Sequence, residues 1–291
     1  MNPATIENRG VTRATGAIIQ PRLTIRASAG WRALDLAQVW RYRDLLFTLA
    51  VRDLKLRYKQ TVLGVAWVVL QPLIGAGIFS FVFGRIAKLP SDGVPYMVFS
   101  YTGMIAWTVF SSTLAKTSAC LVGNAHLVSK VFFPRLILPL STVYSTLVDF
   151  AIALGLMSVL MAVYGVVPGA QLLLMPFCLL TILAFAMGVG LLACGLTVRY
   201  RDVQYILPVA LQFMLYASPV GYSVSAVPEN LRQIYMLNPL APLLEAFRWT
   251  LLGTGELDAR HLAYAAFVAC ALLTAGAFAF RRMERTFADV I

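Results

Sequence analysis

Long runs without charge leave this chain little choice of environment. A bilayer-spanning helix needs about 20 mostly apolar residues. Six segments qualify: residues 61–84, 94–115, 136–164, 171–198, 203–220 and 261–280. Only the third contains an acid, Asp149. A backbone in lipid must satisfy its own hydrogen bonds, so runs of this length become helices. The expectation is an all-α polytopic membrane protein with six transmembrane helices. Composition agrees: the chain is 59% hydrophobic and 13% charged, about half the charged share of a soluble domain.

The net charge is +11. In a soluble fold such an excess would suggest nucleic acid; in a membrane protein it sets orientation, because Lys and Arg collect on the cytoplasmic side. Nineteen of the 24 Lys and Arg precede residue 61, follow residue 280, or lie between spans two and three or four and five. Both termini are therefore expected in the cytoplasm, and nucleic acid is not an expected partner. Residues 1–30 have no apolar core of the secretory type and read as a disordered cytoplasmic tail.

Residues 31–60 read as an amphipathic interface helix. At 100° per residue, Arg41, Asp44, Thr48, Arg52, Lys55 and Lys59 share one stripe, while Trp40, Phe47, Val51, Leu54 and Tyr58 line another. Such a helix suits the membrane–water boundary and its anionic headgroups. Two roles compete for the stripe: anchoring to lipid, and docking a cytoplasmic partner. The apolar run that follows carries Gln71-Pro72. Pro72 removes one helical hydrogen bond and disturbs the carbonyl of Val68. Either an ordinary packed kink or a moving interface fits. Gly64, Gly75 and Gly77 would let a neighbouring helix come close.

Asp149 costs roughly 2.5–3.5 kcal/mol at the bilayer centre on insertion scales. It must face protein or water. An ion-coupled carrier would use such an acid, but no second acid or basic partner stands in the other spans. The alternative is an acid near a span end, hydrogen-bonded to Tyr or Ser neighbours. Cys120, Cys178, Cys194 and Cys270 sit in or beside apolar runs and read as packing residues. His126 and His261 stand alone, so no metal site is expected. No GxxxxGK[ST] loop is present. No acid–base or nucleophile constellation supports an enzyme.

Two connections look built for contact. Residues 123–140 hold a short helix that Asn124 could cap, with Leu127, Val128, Val131 and Phe132 on an apolar side and Lys130 and Arg135 at its rim. An exposed apolar patch of that kind implies a partner; the alternative is packing on this chain's own interface helix. Residues 222–253, broken by Asn238-Pro239 and Pro242, are too polar for a span. They suggest two short helices that dip into the membrane or lie at its surface, the second with Glu245 and Arg248 as its charges.

The order of these parts carries a resemblance. An interfacial helix ends in "RDLKLRYKQTVLGVAWVVLQPL". "LVSKVFFPRLILPL" joins spans two and three. "RYRDVQYILP" joins spans four and five, and "SPVGY" and "LNPLAPLLEAFRWTLLG" follow. From about residue 40 to 285 the chain resembles the permease subunit of ABC-2-type exporters, most of all those of O-antigen or other cell-surface polysaccharide. The resemblance implies a 61–285 transmembrane domain in the inner membrane and a homodimer paired with two copies of a separate ATPase. ATP and Mg²⁺ would then be bound by that partner and no cofactor by this chain. It implies an ATPase-coupling helix at Asn124, Leu127, Val128, Lys130, Val131, Phe132 and Phe133. The interface helix, with Arg41, Arg52, Lys55, Arg57 and Lys59, would also touch the ATPase. The pieces around Glu245 and Arg248 would be external gate helices. For a lipid-linked polysaccharide, aromatic rings offer stacking surfaces; Trp67, Tyr101, Trp107, Phe213, Tyr216 and Tyr222 are the channel candidates. Export of a small lipid, drug or peptide, and ion-coupled secondary transport, are the competing readings.

Overall fold

The computed structural model describes residues 36–59, 65–131, 133–255 and 257–290. The expected tail, residues 1–30, lies outside them, as do Gly64 and Phe132. The described residues form helices and no strand: α1 (Leu36–Arg41), α2 (Arg43–Lys59), α3 (Val65–Phe79), α4 (Tyr96–Gly123), α5 (Ala125–Lys130), α6 (Ile137–Tyr164), α7 (Met175–Arg199), α8 (Val203–Tyr216), α9 (Glu229–Tyr235), α10 (Leu240–Leu252) and α11 (Ala259–Val290). A π-helical segment, Ser80–Ile86, continues α3, and 3₁₀ turns at Ala170–Leu174 and Val224–Ala226 precede α7 and α9.

Five helices among the described residues are long and apolar enough to cross a membrane: Ala66–Ile86, Tyr96–Gly123, Ile137–Tyr164, Ala170–Arg199 and Ala259–Glu284. The expected fifth span, residues 203–220, is helical for 14 residues only. At 1.5 Å per residue that is about 21 Å, short of a hydrocarbon core of about 30 Å. Pro219 biases Ser218 away from helix, and the chain turns back after Tyr216. Pro72 sits buried inside α3, which continues through it.

Two apolar clusters organise the bundle. One joins α4, α6, α7 and α10, around Tyr101, Phe110, Met157, Ile182 and Phe247. The other ties α2 and α5 to α4, α6, α7 and α11, around Leu49, Leu121, Val128, Ile137, Cys194 and Phe280. Cys120, Cys178 and Cys194 are buried and Cys270 is exposed, all four as free thiols. Helices α7 and α11 cross backbone to backbone at Gly188 and Gly276. A Cβ on Gly276 would stand 2.3 Å from the Gly188 carbonyl oxygen, and one on Gly188 would stand 2.5 Å from the Leu272 carbonyl carbon. Small residues permit this approach, which drives helix association in lipid. Gly75 lies against the Met104 side chain, whereas a Cβ on Gly77 would meet nothing within 4 Å.

Gly188→Val should therefore cost about 1–3 kcal/mol or more through overpacking that no rotamer change relieves. Thermal unfolding of the detergent-solubilised protein measures it. Gly77→Val, which meets open space, is the matched control.

Candidate functional site

At one end of the bundle, α2 lies on α6. Leu45, Leu46, Leu49 and Ala50 carry the contact, and Phe47 meets Tyr144 edge-on at 5.8 Å between ring centroids. Of the apolar face expected from the helical wheel, Val51, Leu54 and Tyr58 are partly buried. Trp40, Phe47 and Leu56 are exposed, and the buried stripe runs through Leu49 and Ala50. Packing against α6, rather than lipid alone, selects the face.

The expected basic stripe divides in the same way. Arg41, Lys55 and Lys59 are exposed. Arg52 is held: its Nη2 donates to Asp53 Oδ1 at 2.7 Å and to Asn124 Oδ1 at 2.6 Å. Arg57 donates to Asp149 Oδ2. The Tyr58 hydroxyl donates to Asp149 Oδ1 at 2.8 Å. Lys116 Nζ donates to Asp149 Oδ2 at 3.1 Å, to Ser145 Oγ at 3.1 Å and to Thr146 Oγ1 at 3.3 Å. The Asp149 side chain is only 8% exposed. Burial, then the hydrogen bond to Asp149, push the Tyr58 phenol up to about 12, so it remains a donor at physiological pH.

Asp149 thus has the basic partners that the sequence reading did not give it. Lys116 was missed because α4 runs on to Gly123, past the apolar run that ends at residue 115. Arg57 and Tyr58 were missed because they arrive from the interface helix, about ninety positions away in sequence. Beside Asp149 a small cleft lies between α3, α4 and α6, lined by Val68, Pro72, Thr108, Ser112, Thr146 and Phe150 among others.

Helix α5 is also two-sided. Val128 is 7% exposed and Phe133 5%, and both join the cluster with Leu49, with Leu127 packed against it. Lys130, Ser129 and His126 are exposed and Val131 is half exposed. Of the expected apolar side, Val128 is buried and Leu127 partly buried in the cluster that includes Leu49 of the interface helix, which is the alternative of packing on this chain itself, while Val131 stays half exposed; Phe133 is buried as well. Phe132 lies outside the described residues. Asn124 occupies the N-cap position but makes no side-chain cap bond. Its Nδ2 donates to the Cys120 carbonyl at 2.9 Å while its Oδ1 receives Arg52.

The channel candidates separate by exposure. Trp67 is 51% exposed on α3, and Phe213 (71%) and Tyr216 (58%) are exposed on α8. Tyr205, 77% exposed on the same helix, was not among the candidates. Tyr222 is partly buried and bonded through its hydroxyl to the Tyr216 carbonyl and the Tyr235 hydroxyl. Burial, with Tyr222 next, raises the Tyr235 phenol above its ordinary range. Tyr101 and Trp107 are corrected: both are buried inside the protein. Tyr101 donates to the Ala153 carbonyl and Trp107 packs on Phe110.

At the far end of the bundle, α10 is buried along most of its length, Arg248 included. Arg248 Nη2 donates to the carbonyls of Pro219 (2.7 Å) and Val220 (3.2 Å), and Nη1 to Glu245 Oε1 (2.9 Å). Its guanidinium stacks 3.9 Å from the Phe99 ring centroid. The same Glu245 oxygen accepts the Val224 N–H at 3.1 Å. Glu245 and Arg248 thus form an internal brace for the loop after α8. Asn238 Nδ2 donates to Ser218 Oγ, Tyr96 to the Gly221 carbonyl, and Ser223 to Asp92. Gly103 makes room for the brace: a Cβ there would stand 2.0 Å from the Val220 oxygen. No group of three metal-ligating side chains occurs among the described residues.

Residues 44–252 match the ABC-2 type transporter family. Over 249 residues the chain is 28% identical to the O-antigen export system permease protein RfbA of Klebsiella pneumoniae, across 85% of this chain and 95% of that protein. It is 29% identical over 256 residues to the RfbA of Myxococcus xanthus, across 87% and 98%. It is 24% identical over 207 residues to the polysialic acid transport protein KpsM of Escherichia coli, across 69% and 78%. A family match from the interface helix to the end of α10, on a bundle with five bilayer-length helices, places this multi-pass membrane protein in the ABC-2 type transporter family.

Proposed function

We propose that this chain is the permease subunit of an exporter that moves a lipid-linked, O-antigen-like polysaccharide across the inner membrane. A separate ATPase subunit binds ATP and Mg²⁺ and supplies the force. The observation that carries the reading is the alignment with O-antigen export permeases over nearly their whole length. The lack of a phosphate-binding GxxxxGK[ST] loop in the sequence supports an energy source on another chain. Two permeases and two ATPases form the working unit; α8 together with the segment that follows it makes a sixth crossing, so that both termini face the cytoplasm.

In this reading the ATPase docks on the outward side of α5, at His126, Ser129, Lys130 and Val131, and on the exposed Arg41, Lys55 and Lys59. The glycan slides between two permeases past Trp67, Phe213 and Tyr216, whose rings give sugars sequence-tolerant stacking surfaces. The Arg248 brace sets the resting shape of the outer mouth. Ion coupling through Asp149 is disfavoured, because protein donors occupy both of its oxygens.

Deletion of the gene should leave lipid-linked polymer inside the cell and strip the surface glycan. Purification of the tagged permease should bring an ATPase with it. Normal surface glycan in the deletion strain would overturn the assignment. Replacing Phe213 and Tyr216 together by alanine should slow export by about tenfold at unchanged ATPase association, since each lost stacking platform is worth about 0.5–1.5 kcal/mol beyond its area. Pulse-labelled glycan appearing at the surface measures it.

A further inference from the structure

Helix α2 is fastened to the membrane helices at two points five residues apart. At Arg52 it is bonded to Asn124, the hinge residue between α4 and α5, and Asn124 is bonded in turn to the last turns of α4 through the Cys120 carbonyl. At Arg57 and Tyr58 it is bonded to Asp149, well inside α6, and Asp149 is shared with Lys116 of α4. The apolar contact between α2 and α6 selects the face of α2 but resists sliding only weakly, because burial is non-directional. Directed charge-assisted bonds do fix a register. Sliding α2 along α6 by a turn would break the Arg57 and Tyr58 bonds to Asp149 and leave its Oδ1 without a donor on a side chain only 8% exposed, and an unsatisfied buried acceptor is costly.

We infer that Asn124 and Asp149 are positioning residues that clasp α2 to α4, α5 and α6, so that these elements move as one block. The inference rests on the proposed role of α2 and α5 as the ATPase-facing elements and adds how their motion reaches the membrane. A push on either docking helix displaces the adjoining parts of α4 and α6 together. The carboxylate serves as a mechanical fastener, not as a relay.

Two measurements on the full permease–ATPase complex test this. Nitroxide labels replace Leu56 on α2 and Leu147 on α6, both exposed. Their separation, read by pulsed electron resonance, should stay within about 2 Å between the nucleotide-free and ATP-bound complexes, well below a one-turn slide of about 5.4 Å. A larger displacement overturns the inference. In parallel, Asp149→Asn should lower surface glycan by about tenfold, within the range of site-to-site coupling, with ATPase activity of the complex changed by less than about twofold. The exchanged pair Arg57→Asp/Asp149→Arg keeps one acid among two cations with Lys116, and should recover most of the export. Export by Asp149→Asn at the wild-type level overturns the inference. If Asp149→Asn fails to fold, the label distance in the otherwise wild-type chain decides alone. Failure of the wild-type chain to assemble with any ATPase would sink the proposed function instead, and is seen before either arm is read.

Discussion

Arg248→Met should destabilise the detergent-solubilised protein by about 3–5 kcal/mol, the usual result of deleting one partner of a buried ion pair. The side chain is 1% exposed, so water cannot replace what is lost. The substitution leaves the Pro219 and Val220 carbonyls and the Glu245 carboxylate without their cation, and removes the contact with Phe99. The loss should appear as a melting point lower by about 5 °C or more. It should also appear as new protease cleavage in residues 217–226. Arg248→Lys should fall between the two, because a lysine carries the charge but not the planar fork that reaches two carbonyls and a carboxylate at once. Gly103→Val should mimic Arg248→Met, since a Cβ there would stand 2.0 Å from the Val220 oxygen and 3.0 Å from Arg248 Nη2. A melting point for Arg248→Met equal to that of the wild type would show that the brace contributes nothing.

The second large effect concerns α5. Lys130→Glu combined with Val131→Asp should leave the permease folded, because both side chains face outward. The same pair should weaken ATPase association by about thirtyfold, the 2 kcal/mol expected of a central interface residue. Surface glycan should fall with it. Val128→Asp should behave differently. Val128 is buried against Leu49 and Ile137, so its replacement places a charge in an apolar cluster and lowers expression of the permease itself. Co-purification, read against the amount of folded permease from size-exclusion chromatography, separates the two outcomes. Equal ATPase recovery with the outward double variant would remove α5 from the docking surface.

Lengths and periodicities explain which parts were legible beforehand. Long uncharged runs identify α3, α4, α6, α7 and α11, because only a helix satisfies its own backbone in lipid. The fifth run is helical over 14 residues only. Hydropathy sums over residues 203–220 without registering that Pro219 ends the helix, so the apolar stretch divides into α8 and a folded-back loop. The helical wheel found that α2 is two-sided, and the structure adds a buried stripe through Leu49 and Ala50 that packs on α6. Its apolar residues surround much of the helix, and the surface of α6 decides which of them are covered. Exposed aromatics on α3 and α8 could not be told from the buried Tyr101 and Trp107, since ring type does not report neighbours.

What the sequence alone determined is the class of molecule: a membrane-embedded helical chain, basic at one set of connections, with proline-broken pieces before its last span. Those properties follow from local composition and from the cost of unpaired backbone in lipid. What only the tertiary structure decided is where its charges act. Arg57 and Lys116 meet at Asp149, Arg52 meets Asn124, and Arg248 meets the Pro219 and Val220 carbonyls. A buried charge is tolerable only beside its partners. Most of those partners lie tens of residues away along the chain, on helices whose rotation about their own axes is set by packing.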